Sequence, residues 1–395
     1  MRDEYSGGPR VATSFIALLV ATLSVSVINV AQAATLKDEF LGYLLLLPVL
    51  PLLFGGRWVV RRSRAADIYE IWYGTNRADF IPHKLTYSDE LARRVEYGRC
   101  KVAIPKSHKF GSTGSNKFRR WARRLFSTTD DRLSVIDVER CSVDQFTLGV
   151  RDTLEGYGPN EKIVLIYIHG YNTTFHDGAI RAAQIGFDLK IPLTAFYSWP
   201  SQGDFKLSAY LKDADKVAAS ERYIAEFISN IAKATPHSRI NLIAHSMGNL
   251  GLLRALTSAA NRAALDGIRF SQIFLAAPDI DIDLFRELAD IYPTISERTT
   301  LYVSACDHAL GISNRVHQNQ RTGYSPPVTT IEGIDTVEAT DVDVGILGHG
   351  YYAEAEGVLY DMSSLIRSDE RPDKRIRLHR QQSGEGKSYW TIRGN

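Results

Sequence analysis

One serine in this chain stands where a serine can act as a nucleophile. Ala244-His245-Ser246-Met247-Gly248 sits where a strand read at 240–244 ends and a helical pattern over 249–262 begins. This is the G-x-S-x-G strand-to-helix elbow with alanine in the first place. A turn that tight needs small residues on both sides of the serine, and Ala244 and Gly248 meet the need. The turn lifts the Ser246 hydroxyl off the carboxyl edge of a sheet. It also aims the Met247 N–H, at the start of the helix, toward the place where an oxyanion would form. A serine that only caps the helix would fit the same junction.

A serine hydroxyl is a poor nucleophile at neutral pH, so it needs a base and a group that orients the base. In this chain order an acid and then a histidine should follow. Two acids are placed to serve: Asp279 in Ala276-Ala277-Pro278-Asp279, and Asp307 in Tyr302-Val303-Ser304-Ala305-Cys306-Asp307. Asp307 is preferred, because an acid one strand further along has room to reach a histidine on the last loop. Asp279 is the alternative; beside Asp281 and Asp283 it also suits the start of a helix. A metal site built from those three aspartates has no histidine nearby to complete it. His349, between Gly348 and Gly350, follows the last strand and both acids, and is the candidate base. His308 and His317 come too early, and His245 should point away from the cleft. The second oxyanion donor is expected from His169-Gly170-Tyr171-Asn172, with the Tyr171 N–H as candidate and His169 as a structural anchor. Tyr197-Ser198-Trp199-Pro200-Ser201 ends the next strand and is expected to line the cleft.

The elements that must position these groups read as a doubly covered sheet. From Lys162 onward, strands at 163–168, 193–199, 240–244, 273–276, 300–304 and 336–340 alternate with helices. The helices are read at 175–189, along a long face through Val217, Ile224, Phe227, Ile228 and Ile231, and then at 249–262, 284–291 and 353–366. Repeated β-α units of this kind imply a mostly parallel sheet with helices on both faces. Before them, 66–160 reads as short strands and loops: 67–73 ending in a turn at Gly74-Thr75-Asn76-Arg77, then 95–104 and 133–138. Within the basic loop 106–132, Phe118, Trp121, Leu125 and Phe126 share a helical face ringed by arginines. Such a helix suits either the domain surface or a membrane surface. The catalytic core is placed at 161–366, and 367–395 reads as a polar, mobile tail.

Composition narrows the classes. The chain has 395 residues, 44% hydrophobic and 23% charged, with a net charge of +2, so neither general disorder nor a global polycation for nucleic acid fits. Three cysteines without CxxC spacing disfavour a disulfide scaffold and a cysteine-rich zinc site. The first 65 residues differ from the rest. The uncharged run 11–34 is long enough to span a bilayer and ends in Ala31-Gln32-Ala33-Ala34, which also suits signal cleavage. A second apolar run, 40–60, is closed by Arg61, Arg62 and Arg64. These segments predict a membrane anchor. The arginines favour a cytoplasmic catalytic domain at an inner membrane, with export as the alternative.

Taken together, the elbow, His169-Gly170-Tyr171-Asn172, Tyr73-Gly74-Thr75-Asn76-Arg77, Gly98 to Pro105, Ala276 to Asp279, Tyr302 to Leu310 and His349-Gly350-Tyr351-Tyr352 resemble an α/β-hydrolase. More narrowly, they resemble the bacterial branch called domain-of-unknown-function family 900, across roughly 67–366. The resemblance implies that fold and a Ser-Asp-His triad on Ser246, Asp307 and His349, and no particular substrate. Alanine at the first elbow position departs from the superfamily pattern but stays small. The expectation is a membrane-associated serine hydrolase of small-molecule or lipid esters, without cofactor and without a nucleic-acid partner. A non-catalytic membrane scaffold and an acyltransferase are the alternatives.

Overall fold

The computed structural model describes residues 66–114, 132–203, 207–307, 310–311, 313–314, 319–340 and 351–392. Both N-terminal apolar runs, the arginine-ringed aromatic segment, His308, His317 and His349 lie outside the described residues. Among the described residues no helix is long and apolar enough to cross a membrane.

The strands are β1 (Ala66–Arg77), β2 (Phe80–Ile81), β3 (Thr86–Tyr87), β4 (Leu91–Pro105), β5 (Ser134–Cys141), β6 (Ile163–Ile168) and β7 (Leu193–Ser198). There follow β8 (Arg239–His245), β9 (Phe270–Ala276), β10 (Ser296–Val303), β11 (Asp335–Glu338), β12 (Leu378–Gln382) and β13 (Ser388–Ile392). All but β2 and β3 join one sheet in the order β12-β13-β11-β10-β9-β8-β6-β7-β1-β4-β5. From β13 to β1 every neighbour is parallel, and antiparallel pairs close both edges.

The helices that cover the sheet are α1 (Val143–Thr153), α2 (Phe175–Asp188), α3 (Leu207–Ala219), α4 (Glu221–Ala234) and α5 (Gly248–Thr257). Then come α6 (Ile282–Leu288), α7 (Tyr351–Glu354) and α8 (Glu356–Ser368). Side chains alternate across a strand, so the unbroken apolar run of β6 feeds two cores. Ile163, Leu165 and Tyr167 pack with α2, α7 and α8, while Val164, Ile166 and Ile168 pack with α1, α4, α5 and α6.

Four local readings change. β1 does not turn at Gly74 but runs on to Arg77, because Thr75 pairs with Ser198 and the Phe227 ring fills the space beside Gly74. The long helix through Val217 and Ile231 breaks at Ser220, whose hydroxyl donates to Lys216 O at 2.7 Å and accepts from Asn76 Nδ2 at 2.9 Å. A helix, α1, stands where strands and loops are read, started by a reciprocal capping box between Ser142 and Gln145. The polar stretch read as a mobile tail carries the β12–β13 hairpin, added to the sheet through Val337↔Trp390 and Glu338↔Thr391. Its anchor is a buried ion pair: Arg375 Nε donates to Asp361 Oδ1 at 2.7 Å, and its Nη2 to Asp361 Oδ2.

Candidate active site

The parallel register brings the carboxyl ends of the central strands level, with Ile168 beside Ala244, His245 beside Ala276, and Ala276 beside Tyr302. Ser246 follows directly at the end of β8 with φ 51°, a left-handed conformation that a residue with a Cβ adopts only where its surroundings hold it there. Those surroundings are backbone. The Ser246 N–H donates to Ala276 O at 2.9 Å, and Ser246 O accepts from Asn249 N at 3.1 Å and Asp279 N at 3.2 Å. The Asn249 amide reaches Ala244 O, Ser246 O and Ala276 O at 3.0–3.2 Å, stapling both ends of the turn. Asn249 has no assigned role in the sequence reading; its only mark there is its place directly after the elbow glycine, at the start of the helical pattern.

The loop after β6 lies directly against the elbow. A Cβ on Gly170 would come 2.7 Å from Ser246 Cβ, and one on Gly248 would come 2.3 Å from His169 O. Only glycine lets these two segments approach so closely. Met247, at the foot of α5, and Ser246 are both buried. Tyr171 packs edge-on against Tyr210, with ring centroids 5.2 Å apart. The structure therefore brings together Ser246, Met247 and the Gly170–Tyr171 segment.

His169 is buried, stacks on Trp199 and sits with Nδ1 2.8 Å from Gly170 O. Burial, followed by the charge of Arg77, pushes its pKa down to about 3, so it is a neutral anchor. His245 stacks on Tyr352 at 4.3 Å between centroids. Tyr197, Ser198, Trp199 and Ser201 do not line an open cleft; they are buried beside the loop after β6. Trp199 Nε1 donates to His169 O at 2.7 Å, and the Ser201 hydroxyl donates to Asp213 Oδ2 at 2.6 Å.

The two candidate acids differ in surroundings. Asp279 is held on both oxygens: Tyr210 donates to Oδ2 at 2.8 Å, Ser313 to Oδ1 at 2.7 Å, and Arg321 Nε lies 3.2 Å from Oδ1. Asp307 follows β10, is fully buried, and accepts from Leu310 N at 3.0 Å through Oδ1. Asp281 caps α6 through Asp283 N and Leu284 N, and no metal-ligating cluster occurs among the described residues.

A parallel sheet covered on both faces, with a strained serine between its central strand and the following helix, defines an α/β-hydrolase. The chain belongs to the family described as "Alpha/beta hydrolase of unknown function (DUF900)", which it matches over residues 153–368, more than half its length. It is similar to the crystal structure of lipase B from Aspergillus fumigatus at 16% identity and TM-score 0.24, over 38% of this chain and 39% of that one. It is also similar to lipase BlEst2 of Bacillus licheniformis in its propeptide form, at 14% identity and TM-score 0.31, over 54% and 52%. The chain thus spans about half the length of these lipases or less, and likenesses this slight carry no argument about activity. No curated protein matches the sequence.

Proposed function

We propose that this chain is a serine hydrolase of carboxylic esters, held at a membrane by its N-terminal apolar segments. The observation that carries the reading is Ser246 at φ 51°, wedged between the start of α5 and the Gly170 loop. No ordinary helix cap needs that conformation. In this reading His349 takes the proton from Ser246, Ser246 Oγ attacks the ester carbonyl, and the N–H groups of Met247 and Tyr171 hold the oxyanion. The alcohol leaves with the proton from His349, and water, activated by the same imidazole, resolves the acyl-enzyme. Asp307 serves as the orienting acid, because Asp279 is already committed to Arg321, Ser313 and Tyr210. The apolar runs at 11–34 and 40–60 support a lipid-like ester presented at a bilayer.

A fluorophosphonate probe tests the reading. Folded protein should be labelled at Ser246, and Ser246→Ala should lose both labelling and roughly 10⁶-fold of its turnover of short p-nitrophenyl esters. Equal hydrolysis by parent and Ser246→Ala would overturn it.

A further inference from the structure

Arg77, at the carboxyl end of β1, is a buried cation whose hydrogen bonds among the described residues all go to neutral acceptors. Its Nε donates to Ser198 Oγ at 2.8 Å, its Nη1 to Ser201 O at 3.0 Å and Ser88 O at 3.3 Å, and its Nη2 to Thr173 O at 2.8 Å. Burial drags its pKa down to about 10, which records how poorly solvated the charge is. Taking a cation out of water costs several kcal/mol, which Asp213, the nearest of the opposing charges, offsets only without contact, and an apolar side chain of like volume would fill the space without that penalty. Packing alone does not explain it.

The bonds around Arg77 have a forced direction. A guanidinium only donates, so its Nε–H occupies one of the two lone pairs of the Ser198 hydroxyl, which lies 3.3 Å from His169 Nε2. A carbonyl only accepts, so His169 Nδ1, 2.8 Å from Gly170 O, carries the ring proton. The buried ring is neutral, so Nε2 keeps its lone pair and the Ser198 hydroxyl donates to it. The peptide joining Gly170 to Tyr171 is planar and trans, so holding Gly170 O on one side sends the Tyr171 N–H to the other. Trp199 fixes the near end of this loop through His169 O, and Arg77 fixes its far end through Thr173 O.

We propose that Arg77, Ser198 and His169 form a hydrogen-bond relay that positions the oxyanion loop by setting the plane of the Gly170–Tyr171 peptide. The inference rests on the ester-hydrolase reading for its purpose, though not for its geometry. None of the three touches the reacting atoms; they are positioning residues.

Two readouts on Ser198→Ala, which removes the middle of the relay with little loss of packing, test it. The first is the imidazole ¹H–¹⁵N spectrum of the ¹⁵N-histidine-labelled chain, with His169 assigned from the His169→Phe variant. The parent should show His169 as the neutral Nδ1–H tautomer with Nε2 accepting a hydrogen bond; Ser198→Ala should keep the tautomer, which Gly170 O still holds, while the Nε2 resonance moves to that of an imidazole nitrogen accepting none. The second is ester turnover. In Ser198→Ala, kcat should fall roughly 10- to 100-fold with KM within about threefold, as expected when a donor acts only on the transition state. A merely structural serine would lower the melting temperature and leave that split and the Nε2 resonance unmoved. An Nε2–H or charged His169 in the parent, or a Ser198→Ala variant with parental kcat, would overturn the relay. A parent that neither hydrolyses esters nor takes up the fluorophosphonate removes the hydrolase reading instead, and the imidazole spectrum then decides the relay alone.

Discussion

Arg77 and Arg375 are both buried, on opposite halves of the sheet, yet they are held in different ways. Arg375 sits between α8 and β11 with two carboxylates: Asp361, which grips it in a fork and also accepts from Tyr302 OH at 2.7 Å, and Asp335 at 3.6 Å. Its charge is cancelled where it stands. Arg77 has only carbonyls and a hydroxyl in hydrogen-bonding contact, and those belong to the loop after β6 and the segments beside it. A cation matched by anions needs nothing beyond a place in the fold. A cation whose opposing charge, chiefly Asp213, acts only from a distance spends its hydrogen bonds on dipoles instead, and so orders the segments that carry them. The difference separates architecture from chemistry within one sheet.

The same division can be tested on the acids. Asp279 resembles the Arg375 half, being paired with an arginine, whereas Asp307 is assigned to the triad. Asp307→Asn should cost roughly 10⁴-fold in kcat with little change in melting temperature, because an amide holds the imidazole in the wrong tautomer. Asp279→Asn should keep turnover within about tenfold and instead cost about 1–3 kcal/mol of stability, by weakening a buried charged network. Steady-state kinetics and urea titrations on both variants check this. The reverse pattern, turnover lost in Asp279→Asn and kept in Asp307→Asn, would move the triad acid and erase the distinction.

On the architectural half the expected change is in stability alone. Arg375→Met leaves Asp361 buried without its partner, which should cost about 3–5 kcal/mol in chemical denaturation. Replacing Asp361 by leucine in the same chain should restore most of that loss, since no uncompensated charge then remains. Turnover of the folded protein should stay within about twofold in both. A loss of kcat in Arg375→Met that exceeds its loss of folded protein would show that this edge also serves the site.

What could be read from the chain follows the range of the interactions. β6 is legible because a strand buried on both faces is written as an unbroken apolar run, and β8 and β9 because most of their residues are apolar, with β-branched or aromatic ones among them. The elbow is legible because its requirement for small neighbours is met within five residues. Arg77 is not, since its acceptor Ser201 is 124 residues away and nothing beside it in sequence says that it will be buried. The C-terminal hairpin escaped for a related reason. β12 is polar and mostly exposed, and the docking depends on Ile392, Trp390 and Arg375, whose partners lie on other elements. For α1 the signal present in the chain is the capping box of Ser142 and Gln145, while the β-branched residues Val143, Thr147, Val150 and Thr153 point away from a helix.

The finest test of the Arg77 half is titration of stability. His169 is held neutral in the fold, with its pKa pushed down to about 3 by burial and then by the charge of Arg77. In the unfolded chain an ordinary histidine binds a proton below about pH 6.5. Between those values the unfolded state carries the extra proton, so the contribution of His169 is complete above about pH 6.5 and is lost as the pH falls toward 3. One proton corresponds to a slope of about 1.4 kcal/mol per pH unit. Urea midpoints measured from pH 6 to pH 4 should therefore fall more steeply for the parent than for His169→Phe, by about that slope, whatever the absolute stabilities. Arg77→Met should flatten the same window only in its lower part, because removing the cation lets the imidazole accept a proton sooner while burial still resists it. Equal slopes in parent and His169→Phe would mean that the imidazole is already charged in the fold. In that state Nε2 would be a donor, with no lone pair left to accept the Ser198 proton.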